Sequence, residues 1–502
     1  MKILLIEKVK EADSYTIKNE PITDIDLMER AASELFKWIG SNFDTSRHIK
    51  TFCGLGNNAG DGFAVSRMLS NSGYSVTVYV VRYSKKMSPS CKINYKRIKR
   101  TTNATIVELS ESDSLPEINN NDVAIDAIFG SGLTRPVKGF IAKIIDLIND
   151  SSATVVSIDA PSGFFCDETN IKNNGSIIHA DFTLTFQFPK YGFLFPENDA
   201  YIGDWFVLPI GLHPDFIRNT EVDSFLIESD EIQSILKGRP KFSHKGTYGH
   251  GLLISGSYGK MGAAVLGSKA TLRAGAGLVT VHIPENGYTI LQTAVPEAMV
   301  NIDMDKNIFS EVPTLSKYNA IAVGPGIGIE KQTANALKLL IQNASTPIIF
   351  DADAINILAE NKTWISFIPK NSIFTPHPKE FERLVGKSAD NFERNRMQRN
   401  FSIKHNCYVI LKGAHTAITT PTGNCYFNTT GNPGMATGGS GDVLTGILLG
   451  LLAQKYSPLE TVLLGVYIHG LSGDLAANDE GYDSLIAGDI TDYMGKAFRL
   501  LK

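Results

Sequence analysis

Ile49-Lys-Thr-Phe-Cys53-Gly54-Leu-Gly56-Asn57-Asn58-Ala59-Gly60-Asp61-Gly62-Phe-Ala-Val-Ser-Arg-Met-Leu69 reads as a strand, a glycine turn and an amphipathic helix in succession. The β-branched run from Ser75 to Val81 completes a βαβ unit, so the first half of the chain is expected to be α/β with a parallel sheet. Gly54-x-Gly56-x-x-x-Gly60 is a loose variant of a dinucleotide-binding turn, and such glycine spacing carries little alone. More telling are Asn57, Asn58 and Asp61 inside the turn, three side chains able to line the crevice at the carboxyl ends of an open parallel sheet.

Working outward, a helix is expected from about Thr23 to Ile39. Two further apolar runs end as the first does. Asp122-Val-Ala-Ile-Asp126-Ala-Ile-Phe-Gly130-Ser131-Gly132 closes on a carboxylate and a glycine turn, and Thr154-Val-Val-Ser-Ile-Asp159-Ala-Pro-Ser162-Gly163 repeats the pattern. A single Asp at such a place reads as a helix cap. Three polar strand ends converging on one sheet edge read as a site. Hard oxygens from Asn58, Asp126 and Ser162, with backbone carbonyls, also suit a hard cation, and the scarcity of full charges favours a monovalent one.

Size and composition bound the rest. The chain has 502 residues, 43% of them hydrophobic, enough for two or three domains rather than one core. With 48 basic against 52 acidic residues, no overall field points to nucleic acid or a membrane surface. The basic run Lys92 to Arg100 reads as a solvated helix face. Five scattered cysteines (Cys53, Cys91, Cys166, Cys407, Cys425) show no zinc spacing and fit a reducing cytoplasm. The start holds too few apolar residues for a signal peptide, and no run approaches membrane-spanning length. A cytoplasmic protein is expected.

From residue 215 to 228 the sequence turns polar and loses periodicity, which places a linker there between units 1–218 and 225–502. Beyond it, Gly251-Leu-Leu-Ile-Ser-Gly256, Gly275-Ala-Gly-Leu-Val-Thr-Val-His282, Ala320-Ile-Ala-Val-Gly324-Pro-Gly326-Ile-Gly328 and Pro347-Ile-Ile-Phe-Asp351-Ala-Asp353 are strands that alternate with helices. A second α/β domain with a mainly parallel sheet follows. Thr375-Pro376-His377-Pro378 holds a histidine on a stiff backbone, which is either a site residue or an incidental member of a surface turn. Val409-Ile-Leu-Lys412-Gly413-Ala414-His415-Thr416 is a strand leading to a seat for phosphate. No Walker A pattern exists, because Gly386-Lys387-Ser388 lacks its upstream glycine and has Phe381 there instead.

The glycine-rich run Asn432 to Gly441 ends in Asp442, and Val443-Leu-Thr-Gly-Ile-Leu-Leu449 continues as an apolar helix. Free amides at the helix start can hold phosphate oxygens while Asp442 takes a proton from a hydroxyl. An N-cap is the competing reading for the same Asp.

Gly56-Asn-Asn-Ala-Gly-Asp-Gly62, Asp126-Ala-Ile-Phe-Gly130 and Ser157-Ile-Asp-Ala-Pro-Ser-Gly163 resemble the NAD(P)HX epimerase domain of the nicotinamide-nucleotide hydrate repair enzymes. The resemblance implies a Rossmann-like three-layer domain in which Asn58, Asp126 and Ser162 bind potassium. It further implies that Asn57, Asn58, Ala59, Gly60 and Asp61, with Gly130, Ser131, Gly132, Leu133, Thr134, Arg135 and Pro136, contact the substrate, and that Asp159 is the acid/base. The motifs of the second half are similar to the ADP- or ATP-dependent NAD(P)HX dehydratase domain, a ribokinase-like α/β fold. That likeness implies that Lys412, Gly413, Ala414, His415, Thr416 and Gly441 bind the adenine nucleotide. It also implies that Ala263, Gly326, His377 and Asp442 contact the hydrated cofactor, with Asp442 as base. Mg2+ is expected to accompany the phosphates, with no dedicated protein ligand set readable in the sequence.

The expectation is therefore a bifunctional repair enzyme acting on small molecules, NADHX, NADPHX and an adenine nucleotide, in a homo-oligomer and without nucleic acid or membrane partners. Two alternatives stand beside it. The second domain could be a ribokinase-type small-molecule kinase, and the first could be a module that only binds nicotinamide nucleotides.

Overall fold

The computed structural model describes residues 1–502, which divide into two compact units: Lys2–Val222, and Asp223–Lys502 together with Met1. No helix is long and apolar enough to cross a membrane.

In the first unit seven strands, β1 (His48–Cys53), β2 (Ser75–Val81), β3 (Thr105–Leu109), β4 (Asp122–Ala127), β5 (Thr154–Ile158), β6 (Phe182–Phe186) and β7 (Asp204–Leu208), form one sheet in the order β3-β2-β1-β4-β5-β6-β7. All six pairings are parallel. Side-chain alternation sends Val76, Val78 and Val80 into a core with the helices Asp24–Asn42, Asn57–Asn71 and Pro89–Thr101. Tyr79 and Val81 face the opposite core, built with Ile144, Ile145 and Ile148 of the helix Phe140–Asn149. Three layers result. The strand order reverses between β1 and β4, so their carboxyl ends open the crevice used for ligands in such sheets. Gly54 is required there: a Cβ would lie 2.1 Å from the Ile128 carbonyl oxygen.

The second unit adds β8 (Ser224–Leu226), β9 (His250–Ile254), β10 (Leu278–Ile283), β11 (Met299–Ile302), β12 (Ala320–Val323), β13 (Ile348–Phe350), β14 (Ile373–Phe374), β15 (Tyr408–Leu411), β16 (Ala417–Thr419) and β17 (Cys425–Phe427). They form a ten-stranded sheet ordered β11-β10-β9-β12-β13-β14-β15-β16-β17-β8. Pairing is parallel except across β16, whose two neighbours run against it. Leu253 of β9 belongs to one core, Leu252 and Ile254 to the other, giving again a helix–sheet–helix sandwich. The helix Ser440–Ala453 is apolar on all sides and correspondingly buried. It packs at backbone contact on the helix Met261–Arg273, since a Cβ on Gly446 would come within 2.2 Å of the Gly267 carbonyl.

The division between the units, at Val222 and Asp223, falls within the stretch 215–228 expected to link them, but that stretch is structured. It contains the end of a helix, Pro214–Asn219, and β8, which pairs with β17. Its polarity comes from exposed residues that flank the strand, Glu221, Asp223 and Glu228, while β8 itself is largely buried. The basic run lies on the helix Pro89–Thr101 with Lys92, Lys96, Lys99 and Arg100 exposed, as a solvated face.

Candidate functional site

At the switch point of the first sheet lies a cavity of about 390 Å³ walled by Asn57, Asn58, Asp61, Gly130, Ser131, Gly132, Leu133 and Asp159 among others. The expected substrate-contact residues therefore largely meet. Ala59 and Gly60 do not face it: Ala59 joins the core, and a Cβ on Gly60 would strike Met28 at 2.6 Å. Thr134, Arg135 and Pro136 lie outside the wall, Thr134 and Arg135 being exposed. The resemblance implies them at the substrate, but the wall of this cavity ends at Leu133.

Asp159 follows β5 with φ of 65°, an uncommon conformation for a residue with a side chain and one that marks functional corners. It caps no helix. Its Oδ1 lies 2.8 Å from Nζ of Lys190, whose side chain is 1% exposed, and its Oδ2 accepts from the Ser131 amide at 3.3 Å. Burial opposes ionisation of Asp159, but the Lys190 ammonium and these hydrogen bonds outweigh it and hold the carboxyl below its ordinary range. Asp61 goes the other way, raised well above by burial and by the charges of Asp159, Asp13 and Asp24.

Asp126 is buried at the end of β4. One of its oxygens accepts from the Ser162 hydroxyl at 2.5 Å, and the other from the Ser162 amide at 2.7 Å and the Ser157 hydroxyl at 2.9 Å. Burial raises its pKa against these bonds. Asn58 Nδ2 donates to the Phe129 carbonyl at 2.8 Å, leaving Asn58 Oδ1 buried without a hydrogen-bond partner. Ser162 Oγ also lies 3.2 Å from the Phe129 carbonyl. An orphaned amide oxygen, a carbonyl and a hydroxyl beside one carboxylate are the neutral, hard donor set that fits a large monovalent cation.

Two members of this site escaped sequence reading. Lys190 follows β6 four residues on, so the rule that polar residues after strand ends line the crevice would have found it. Asp13 lies on the helix Ile6–Asn19, which precedes the first strand and carries no such signal.

In the second unit, Asp442 is not a cap. Gly439, with φ of 94°, is the N-cap of the helix, and Asp442 is the third helical residue. Burial and the charges of Asp351 and Asp353 raise its pKa to about 7, with Lys412 opposing. Lys412 Nζ reaches Asp351 Oδ1 at 3.2 Å, and Asp351 also accepts from Thr375 Oγ1 at 2.7 Å and Thr445 Oγ1 at 2.8 Å. A Cβ on Gly441 would lie 3.4 Å from Lys412 Nζ, so the helix start and the end of β15 share one space. The turn Gly413–Thr416 joins the antiparallel β15 and β16. Gly413 and Ala414 are exposed, Thr416 Oγ1 donates to the Gly413 carbonyl at 2.9 Å, and His415 Nδ1 lies 3.3 Å from the Asn428 carbonyl.

Gly326 and Ala263 are neighbours, 3.3 Å from a Cβ on Gly326 to that of Ala263, where Lys260 also pairs with Asp353 at 3.4 Å. His377 is neither incidental nor free. It caps the helix Pro378–Val385, its Nδ1 accepting from the amides of Lys379 at 3.1 Å and Glu380 at 3.3 Å. Burial lowers its pKa despite the Glu380 carboxylate. The Pro376 carbonyl accepts from the Lys412 amide at 3.1 Å, tying this turn to the end of β15. Sequence reading missed His469, which lies in an apolar helix without any motif. Its Nε2 meets the Ser440 carbonyl at 3.0 Å, and burial pushes its pKa down to about 4, so a neutral imidazole braces the first turn of the Asp442 helix.

Residues 251–496 match the family described as NAD(P)H-hydrate dehydratase, and residues 24–192 match the YjeF-related protein N-terminus. The bifunctional NAD(P)H-hydrate repair enzyme Nnr of Thermofilum pendens is 34% identical over 100% of this chain and 97% of its own length. That of Coxiella burnetii is 33% identical over 97% of each chain. A crystal structure of the ADP/ATP-dependent NAD(P)H-hydrate dehydratase from Bacillus subtilis, co-crystallized with ATP/Mg2+, is 30% identical over 55% of this chain and 98% of that one, with a TM-score of 0.49. Matched along essentially its whole length in both halves, the chain belongs to the bifunctional NAD(P)H-hydrate repair enzyme family.

Proposed function

We propose that this chain repairs hydrated nicotinamide nucleotides. The first unit epimerises the R and S forms of NADHX and NADPHX, and the second dehydrates the S form with ADP or ATP. The observation that carries the reading is Asp442, a carboxylate with a pKa near 7 at a glycine-capped helix start beside Lys412 and Gly441.

Hydroxide is a poor leaving group, which explains the nucleotide. Asp442 takes the proton of the ring hydroxyl, the oxygen attacks the terminal phosphorus, and AMP or ADP departs. Phosphate then leaves the ring carbon with the C–O electron pair, and loss of a proton from the adjacent carbon restores the dihydropyridine. Backbone amides between Gly438 and Gly441 offset charge on the transferred group, Lys412 with Gly413 to Thr416 seats the nucleotide, and Ala263, Gly326 and His377 border the hydrated ring. Mg2+ bound to the nucleotide phosphates would offset their charge there.

In the first unit Asn57, Asn58, Asp61 and Gly130 to Leu133 wall the cavity for the damaged ring, and Asp159 moves the proton. Asn58, Asp126 and Ser162, with the Phe129 carbonyl, would hold potassium, which supplies a fixed positive charge beside the substrate without donating a proton. Five buried free thiols suit the reducing cytoplasm. Met299 and Ile302, exposed on the edge strand β11, suit contact between copies in a homo-oligomer.

Incubation with S-NADHX and ADP or ATP in potassium and magnesium buffer tests the reading. Restored NADH absorbance with free phosphate is expected; a stable phosphoester would mark a kinase instead. Unequal consumption that stops at half of an R/S mixture would remove the epimerase.

A further inference from the structure

Residues 6, 9, 10 and 13 share one face of the helix Ile6–Asn19, and all four line the cavity that holds Asp159 and Lys190. Ile6 and Val9 give this wall an apolar surface; Asp13 puts a carboxyl into it. Asp13 makes no hydrogen bond or ion pair, whereas Asp159 is taken up by Lys190 and the Ser131 amide. A free carboxyl aimed at a substrate cavity, across from a paired one, is the arrangement of an acid and a base.

We propose that Asp13 is a second catalytic residue of the first unit, giving a proton to the ring nitrogen as the hemiaminal opens, while Asp159 takes the proton of the ring hydroxyl. The assignment rests on the epimerase reading of this unit. In the opening step the O–H electrons become the carbonyl π bond, the C–N electron pair moves to nitrogen, and nitrogen takes the Asp13 proton. An aldehyde and an enamine N–H result, with nothing oxidised or reduced. Rotation about the adjacent C–C bond presents the other carbonyl face. Nitrogen attacks it and returns its proton to Asp13, Asp159 returns its proton to oxygen, and the configuration is inverted. An acid at nitrogen and a separate base at oxygen let both proton transfers accompany C–N cleavage, each group facing its own atom.

Charge supports the division. Asp13 is faced by Asp159, Asp24 and Asp61, with Lys190 and Lys10 as cations, and Lys190 is committed to Asp159. Burial, then the Asp159 charge, raises Asp13 to about 7, so it carries a proton where Asp159 does not.

The test uses the full chain, pure R-hydrate and no nucleotide, with chiral chromatography across about pH 6 to 9. Wild-type exchange should fall as pH rises through about 7, because the acid must be protonated. Asp13→Asn should lose about 100-fold in kcat with little change in KM and lose that alkaline fall, and Asp13→Glu should recover part of both. If Asp13→Asn keeps kcat within about threefold, or keeps the alkaline fall, or changes only KM, the assignment is overturned, and Asp61 becomes the proton carrier in the second case. If Asp13→Glu is as inactive as Asp13→Asn while both melt like wild type, the assignment also fails. No exchange by the wild type would instead overturn the epimerase reading itself.

Discussion

Lys190 Nζ lies 2.8 Å from Asp159 Oδ1, and the lysine side chain is 1% exposed, so a buried ammonium in the wall of the cavity is committed to the carboxylate beside it. Replacing Lys190 by Met removes the partner and leaves a buried carboxylate uncompensated. Asp159 should then titrate higher, and R-to-S exchange at neutral pH should fall about 100-fold. Chiral chromatography of the hydrates reads this, with dehydration of S-NADHX by the same sample as the internal control.

Asp442 must be ionised to act as base, and its pKa near 7 sets the sign of the pH dependence. The kcat/KM for dehydration should rise with pH through about 7, following the fraction of deprotonated Asp442. Asp442→Asn should abolish nucleotide-dependent restoration of NADH absorbance and leave epimerisation intact. Retained dehydration would remove Asp442 as base.

Two glycines of one helix should fail differently. A Cβ on Gly441 meets side-chain ends alone, Lys412 Nζ at 3.4 Å and Asp351 Oδ2 at 4.0 Å, so Gly441→Ala should fold normally and raise the KM for ADP or ATP. A Cβ on Gly446 meets the Gly267 carbonyl at 2.2 Å, and backbone cannot swing aside. Gly446→Ala should cost about 3 kcal/mol or more and lower the melting temperature. Calorimetry and nucleotide titration of both variants separate the two effects.

Asn58 Oδ1 is buried and unpartnered beside the Phe129 carbonyl and Ser162. Epimerisation should be faster in potassium than in an equal concentration of a bulky organic cation, and Asn58→Ala should erase the difference. A potassium effect that survives in Asn58→Ala would place the ion elsewhere.

Short-range patterns made much of this protein readable. Strand, glycine turn and helix recur at residues 49–69, and polar residues at strand ends predicted which loops gather, because in a parallel sheet all carboxyl ends lie on one edge. The same logic placed Asn58, Asp126, Asp159 and Ser162 together. It failed where a residue's role depends on direction rather than position. Gly60 and Ala59 sit in the motif yet turn into the core. The edge strand β8 read as a linker because three residues flanked by exposed acids are too short to show a period.

Two α/β units, the glycine corners that open their crevices and the carboxylates those corners carry are all legible locally, since periodicity and turn chemistry act over a few residues. Which groups those carboxylates meet is set by packing between distant segments. Lys190 reaching Asp159, Asp13 entering the cavity from a helix before the first strand, and His469 bracing Ser440 all join segments far apart in the chain. Protonation follows from those meetings, because burial and neighbouring charge, not residue type, set whether a carboxyl is acid or base.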